Sequence, residues 1–292
     1  IIGLGAPYQN AGTVRNVGWE VAVGYHNKWR DFSFGVEANL SDVVNKIIDM
    51  KGTTGGSGAI RNQEGSAINS IYGLKCVGMA RTQADWVNEN CPQYGVTTKP
   101  GDLIYADMDD SGTIDDKDMT IIGSTVPRYT YGVNLSFGWK GLNLSAFFQG
   151  VGKVDGYLSS YYVQPCQQGG TFRKEHLDRW NETNPNGKYP RLTMTDANNW
   201  KQSSFWMRSA AYCRLKNIQL SYTLPRTWLK KLRMKSAMVF VNAQNLFTIT
   251  DFYQGFDPEV AYSGSGDGVE LGAVAYNYPQ VKVVTMGVEL KF

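Results

Sequence analysis

Six side chains in one short run have the types and spacing of a hard-cation loop. Asp107, Asp109, Ser111, Thr113, Asp115 and Asp118 stand at the first, third, fifth, seventh, ninth and twelfth positions of a calcium-loop pattern. Such cations take several oxygen ligands converging from one loop, and the seventh position would offer the backbone carbonyl of Thr113. Gly112 falls at the sixth position, where the pattern turns sharply, and Ile114 stands at the eighth. The departure is Asp118 in place of glutamate, which shortens the reach for bidentate ligation. No amphipathic helix precedes the run, so a paired EF-hand is not expected. The expected occupant is a structural Ca²⁺, or Mg²⁺ less well. The alternative is a solvated acidic turn closed by Asx-type hydrogen bonds.

Other chemistry is thin. The two histidines, His26 and His176, are expected to be solvated or interfacial. No CxxC, HExxH, GxSxG or complete P-loop pattern occurs, and Gly150-Val151-Gly152-Lys153 lacks the rest of a phosphate cradle. Glu20 and Glu37 share the polar side of adjacent strands, where paired carboxylates could do acid–base work; lining a wall is the stronger reading. No enzymatic activity is expected. Cys76, Cys91, Cys166 and Cys213 fall in long connections or at a strand end; a Cys76–Cys91 disulfide and free thiols are weighed about equally.

The elements that must position these residues follow from strict alternation. Val17, Trp19, Val21, Val23 and Tyr25 alternate with small or polar residues, as do Phe32 to Leu40, Tyr129 to Trp139 and Leu142 to Phe148. Period two means strands with one apolar face each. A fifth strand near Tyr212–Tyr222 is apolar at Ile218, Leu220 and Tyr222. A sixth, near Ser236–Ile249, has an ambiguous face because Met238, Val239, Phe240 and Val241 are all apolar. The last runs from about Gln280, with Val284, Met286, Val288, Leu290 and Phe292 facing outward.

Short connections (residues 27–31, 140–141, 223–235) alternate with long ones (41–127, 151–211, 250–279). Compact soluble domains rarely carry loops so long, whereas outer-membrane barrels have short periplasmic turns and long extracellular loops. Tyr25, Phe32, Trp139, Tyr222 and Phe292 gather at the short-turn ends, where an aromatic girdle belongs. The expected fold is all-β: about seven strands of a transmembrane antiparallel β-barrel, with the last strand ending at the periplasmic face. A soluble β-sandwich is the weaker alternative. The loop aromatics Trp86, Tyr94, Tyr161, Tyr162, Trp180, Trp200, Phe205 and Trp206 could stack on sugar rings, but most are expected to anchor loop packing.

The run Gly101-Asp102-Leu103-Ile104-Tyr105-Ala106-Asp107-Met108-Asp109-Asp110-Ser111-Gly112 resembles the acidic loop of SusC/RagA-type TonB-dependent transporters. Co-ordered matches follow: Leu144-Ser145-Ala146-Phe147-Phe148-Gln149-Gly150, His176-Leu177-Asp178-Arg179-Trp180, Arg214-Leu215-Lys216-Asn217, Ser221-Tyr222-Thr223-Leu224-Pro225, Asn242-Ala243-Gln244-Asn245-Leu246-Phe247 and the terminal Phe292. Near the start, Asn10 to Glu20 looks like the family's lead into a late strand. The resemblance covers nearly the whole chain, and implies the C-terminal portion of such a barrel, residues 1–292. The family's plug domain, TonB-contacting box and early strands have no counterpart in this sequence, and plugged transporters have about 22 strands. It further implies active import of an oligomeric nutrient, glycan or peptide, powered through TonB. A SusD-like surface lipoprotein would contact the outer loops. A passive porin-like channel is the alternative, and a soluble Ca²⁺-binding β-domain a third.

Composition agrees with a wall. Of 292 residues, 19% are charged and 13% aromatic, with 32 glycines, and the net charge of +3 gives no footprint for nucleic acid. No apolar run is long enough for a membrane-spanning helix.

Overall fold

The structure is a computed structural model that describes residues 12–56, 58–82, 85, 99–157, 165–166, 171–194, 198–231, 234–260 and 280–292. Seven long strands form one antiparallel sheet in sequence order. They are β1 (Thr13–Trp29), β2 (Phe32–Asp49), β3 (Arg128–Trp139), β4 (Leu142–Lys153), β5 (Tyr212–Thr223), β6 (Ser236–Gln244) and β7 (Val283–Lys291). An eighth piece, Thr248–Thr250, pairs with β5 beyond the end of β6. Among the described residues β1 and β7 each pair on one side only.

The register turns the alternation into rows. At the short-turn end Trp29, Phe32, Trp139, Leu142, Tyr222, Val239 and Val288 lie side by side across all seven strands. The next row on that face joins Phe34, Phe137, Leu144, Leu220, Val241 and Met286. Phe34 and Phe137 meet with ring centroids 5.0 Å apart. One residue out of phase, His26, Gly35, Ser136, Ser145, Gln219, Asn242 and Thr285 form a polar row on the opposite face. The contour from Trp19 to Trp29 is about 33 Å at about 3.3 Å per residue. At a tilt near 40° that is about 25 Å of height, the thickness of a barrel's apolar band.

Several expectations need correction. The first short connection is Arg30-Asp31 rather than residues 27–31, because β1 goes on pairing with β2 through Asn27, Lys28 and Trp29, opposite Phe34, Ser33 and Phe32. His26 and Tyr25 therefore sit inside β1, and Trp29 takes the rim place expected of Tyr25. β2 runs on to Asp49, so the first long connection begins after that residue and not at 41. The polar pair Ser41-Asp42 reads as a loop signal, yet Asp42 is buried and bonded by Arg128, with Nη2 to Oδ2 2.6 Å. β5 also carries Cys213 and Leu215 on its apolar face, opposite Gly150 and Phe148. β6 resolves its ambiguity toward Val239 and Val241. Phe240 takes the polar side, where a Cβ on Gly287 would come within 2.5 Å of its ring. The expected Lys140-Gly141 turn is present, with φ of 46° and 91°, the two positive values of a type I′ hairpin.

The packed interior lies among the long connections rather than in the wall. Ile60, Ile71, Val154, Tyr157, Trp206, Phe252 and Tyr253 form one buried cluster with the upper ends of β4 and β5 at Val151 and Tyr212. A second gathers Leu74, Leu103, Tyr105 and Ile114. Small sheets frame them: Ile60–Arg61, Ser70–Leu74 and Met119–Ser124 in one, Cys76–Met79 with Leu103–Tyr105 in another, and Asp155–Tyr157 with Met207–Ser209 in a third.

Candidate functional site

The acidic run hangs between two strands of this outer structure. Leu103–Tyr105 leads in, Met119–Ser124 leads out, and Ile114, 1% exposed, pins the loop to the second cluster. Carboxylate oxygens of Asp107, Asp109 and Asp118 lie within 4.8 Å of one another. Asp118 is fully buried, accepting from Met108 N at 2.6 Å and Asp115 N at 2.7 Å. Asp107 accepts from Gly112 N at 2.7 Å and Ser111 N at 3.2 Å. The Gly112 N–H, first among the donors, holds the Asp107 carboxyl below the ordinary carboxylate value. Gly112 has φ 77°, the left-handed turn its place in the pattern requires.

Of the six residues read from spacing, three are thus brought together. Asp115 turns away to cap the short 3₁₀ turn at 116–118, accepting from Lys117 N at 2.7 Å. The Ser111 hydroxyl donates to the Thr113 carbonyl at 3.0 Å, so these two oxygens serve the turn itself. The oxygens that converge are hard, anionic donors, a set suited to Ca²⁺ or Mg²⁺ and not to a soft metal.

The polar face of the wall is the second candidate surface. Glu37, Asn134, Phe147 and Asn217 line up across β2, β3, β4 and β5. His26 Nε2 lies 3.1 Å from Glu37 Oε1, and Asn242 donates to Asn217 at 3.1 Å. Glu20 is opposite Ser41 while Glu37 is opposite Gly24, so the register separates the two carboxylates and gives no acid–base pair.

A third arrangement escaped the sequence reading. Arg214, on the polar side of β5, donates to Asp257 Oδ1 at 2.6 Å, Glu259 Oε2 at 2.7 Å and Thr248 Oγ1 at 2.8 Å. Lys216 adds bonds to both Glu259 oxygens. The signal available was two cations two apart in a wall strand, with Asp257-Pro258-Glu259 downstream; nothing in the spacing says that they meet.

The remaining residues singled out by sequence fall into packing roles. His176 is buried, not solvated: Nδ1 accepts from Arg173 N at 3.1 Å, and the ring sits edge-on to Tyr189. Trp206 is fully buried with its indole N–H on Asn199 O, Trp180 donates to Arg81 O and Trp200 to Pro165 O. These rings anchor loops. Cys76, Cys166 and Cys213 are free thiols. Cys91, and with it the Cys76–Cys91 pairing, lies outside the described residues, as do Trp86, Tyr94, Tyr161 and Tyr162.

No family model matches the chain. Among curated proteins it is 29% identical over 99% of its length to TonB-dependent receptor P3 of Formosa agariphila, and 27% identical to TonB-dependent receptor P26 of the same organism. It spans about 30% of the length of each. Among solved structures it superposes on the RagAB peptide transporter with a TM-score of 0.76, and on the RagAB peptide importer in its open-open state with 0.75. Both are 23% identical; the chain is covered to 99% and covers 30% of theirs, a likeness of fold. In sequence the chain is thus similar to a segment of TonB-dependent receptors, and in fold to a segment of the RagAB transporter.

Proposed function

We propose that residues 1–292 supply the last strands of the wall and the large outer loops of an outer-membrane importer of oligomeric nutrients, peptide or glycan. The observation that carries the reading is the two-faced wall. One face presents apolar rows about as tall as a membrane's hydrocarbon band, interrupted at Asn27 near the short-turn end of β1, and the other presents Glu37, Asn134, Asn217 and the His26 row. Among the described residues the seven wall strands leave two open edges, which further strands of the same barrel would pair, because lipid leaves no backbone group unbonded. A barrel of that width needs a plug, and uptake would then be energised through TonB. Short turns face the periplasm in this reading, and a SusD-like lipoprotein sits on the long loops.

The relatives' names support import through TonB, and the RagAB descriptions favour peptide over glycan. The experiment is uptake of a labelled oligopeptide mixture and a labelled oligosaccharide mixture by cells producing the full-length protein, with and without TonB. TonB-dependent uptake of one class supports active import. Equal uptake without TonB gives the porin-like alternative.

We also infer a structural divalent cation, Ca²⁺ before Mg²⁺, held by Asp107, Asp109 and Asp118. Its chemistry would be charge neutralisation within a loop that otherwise crowds three carboxylates. It would take no part in a reaction.

A further inference from the structure

The short-turn end of the wall carries a charge that neither the fold nor the transport reading uses. The segment 224–235 contains five cations, Arg226, Lys230, Lys231, Arg233 and Lys235, and no carboxylate. Arg30 and Lys140 occupy the two neighbouring turns, with Asp31 as the single acid. In a chain of net charge +3 that is a strong concentration at one end.

Hydrogen bonds join the turns into one rim. Lys140 N donates to Asp31 O, Thr223 N to Gly141 O at 2.8 Å, and Lys235 N to Lys291 O at 2.7 Å. Arg30, Lys140, Arg226, Lys230 and Lys235 are exposed, and among the described residues none of them is paired with a carboxylate. Lys291 differs, because it is satisfied by Glu289 at 2.9 Å.

Three indoles stand among these cations. Trp29, Trp139 and Trp228 are 72%, 56% and 60% exposed. The Arg30 guanidinium lies 5.8 Å from the Trp29 ring, and the Lys140 ammonium 5.6 Å from that of Trp139. Trp29 and Trp139 also belong to the last apolar row of the wall. Leu229, 2% exposed, fastens the helical turn Arg226–Lys231 down, leaving Trp228 beside it in the open.

An indole belt with cations just beyond it, continuous with an apolar wall, is the chemistry of a headgroup layer: apolar below, amphipathic at the boundary, charged above. An acidic protein partner would be met by the charge but not by indoles ranged along the edge of a lipid-facing row. We propose that this rim is a docking surface for anionic glycerophospholipid headgroups, with Arg30, Lys140, Arg226, Lys230 and Lys235 binding phosphate and the indoles setting the depth. The inference rests on the proposed membrane orientation, with the short turns in the phospholipid leaflet. Attraction of this kind is additive over cations and is screened by salt.

The test uses the full-length transporter, reconstituted with spin-labelled phosphatidylglycerol or phosphatidylcholine as the probe. Wild type should select the anionic lipid severalfold at low salt. The set Arg30→Gln, Lys140→Gln, Arg226→Gln, Lys230→Gln and Lys235→Gln should abolish that preference, while Lys140→Arg, Lys230→Arg and Lys235→Arg should retain it. Heat-modifiable migration on a semi-native gel establishes that each variant is a folded barrel. Equal selectivity in wild type and the glutamine set, with both folded, overturns the rim proposal and leaves the transport reading standing. If the glutamine set instead loses co-purified lipopolysaccharide, the rim lies in the other leaflet; rim proposal and orientation then both fail.

Discussion

Arg214 Nη2 stands 2.6 Å from Asp257 Oδ1, and both side chains are 3% exposed. One guanidinium on the wall thereby fixes a loop at both ends, since Asp257 also accepts from Glu259 N at 2.9 Å and Gln280 N at 3.1 Å. The connection after Thr248–Thr250 and the lead into β7 are gathered at a single carboxylate. Replacing Asp257 leaves Arg214 with Glu259 as its one carboxylate and removes a charged hydrogen bond, at a cost of about 2 kcal/mol. Asp257→Asn is therefore expected to open residues 251–260 to protease while the wall stays heat-modifiable. Cleavage no faster than in wild type would show that the pair does not hold the loop.

The same pair predicts a direction with pH. Burial alone would raise the Asp257 carboxyl, but the Arg214 hydrogen bond and the two backbone donors outweigh it and leave it below its ordinary value of 3.8. A carboxyl with a depressed folded value contributes stability that is complete above the unfolded value and fades as pH falls through the folded one. Protection of residues 251–260 should then be flat from pH 7 to about 5 and fall only below about 4. A loss centred near pH 6 would implicate a histidine instead.

In the acidic loop the side chains divide into ligands and scaffold. Asp118 is buried and takes two backbone N–H groups, so Asp118→Asn should unfold the turn whether or not an ion is present. Asp107→Asn with Asp109→Asn leaves the two Asp118 bonds in place, and the retained amide oxygen at each position can still accept one of the backbone N–H groups of Ser111 and Gly112. The double variant is expected to abolish Ca²⁺ heat in calorimetry of the full-length protein and to raise protease sensitivity near Gly112 only in calcium. Absence of a Ca²⁺ signal in wild type would leave the solvated acidic turn as the whole account.

How much of this was legible beforehand depends on the range of the forces involved. The wall was, because alternation is local: Val17 to Tyr25 and Leu142 to Phe148 each declare an apolar face without knowing their neighbours. Strand limits were not. Lys28 and Trp29 continue β1 and Ser41-Asp42 continues β2, because cross-strand partners and Arg128 overrule what look like turn residues. The faces of Met238 to Val241 needed Gly287 opposite Phe240, a partner some 50 residues away in sequence. In the acidic loop, spacing located the turn but not its division of labour. Asp115 could be a ligand or a cap on sequence alone, and the 3₁₀ turn at 116–118 takes it as a cap. The Arg214 hub joins residues 43 apart through side chains, and no periodicity encodes that.

The wall's faces differ sharply in what they should tolerate. Val241 pairs Leu220 on one side and Met286 on the other, in the middle of the apolar face. A lysine there should cost about 2–4 kcal/mol if that face meets lipid at mid-depth. Asn242, one residue on, lies in the row of His26 and Ser136, and lysine there should assemble at near wild-type levels. The measurement is the heat-modifiable fraction in outer membranes for Val241→Lys against Asn242→Lys. Equal assembly of the two would remove the lipid-facing assignment.

Orientation has its own test. Thr54 is exposed in the connection after β2, and Asp31 is exposed in the turn before it. In full-length protein with Cys76, Cys91, Cys166 and Cys213 replaced by serine, Thr54→Cys should react with an impermeant maleimide on intact cells. Asp31→Cys should react only after the outer membrane is opened. The turn's shape permits the substitution, since the left-handed residue is Arg30, with φ 54°, and not Asp31. The reverse pattern of labelling would put the long connections in the periplasm. It would also turn the polar loops, the acidic turn and the Arg214 anchor away from incoming substrate, leaving the import reading without a mouth.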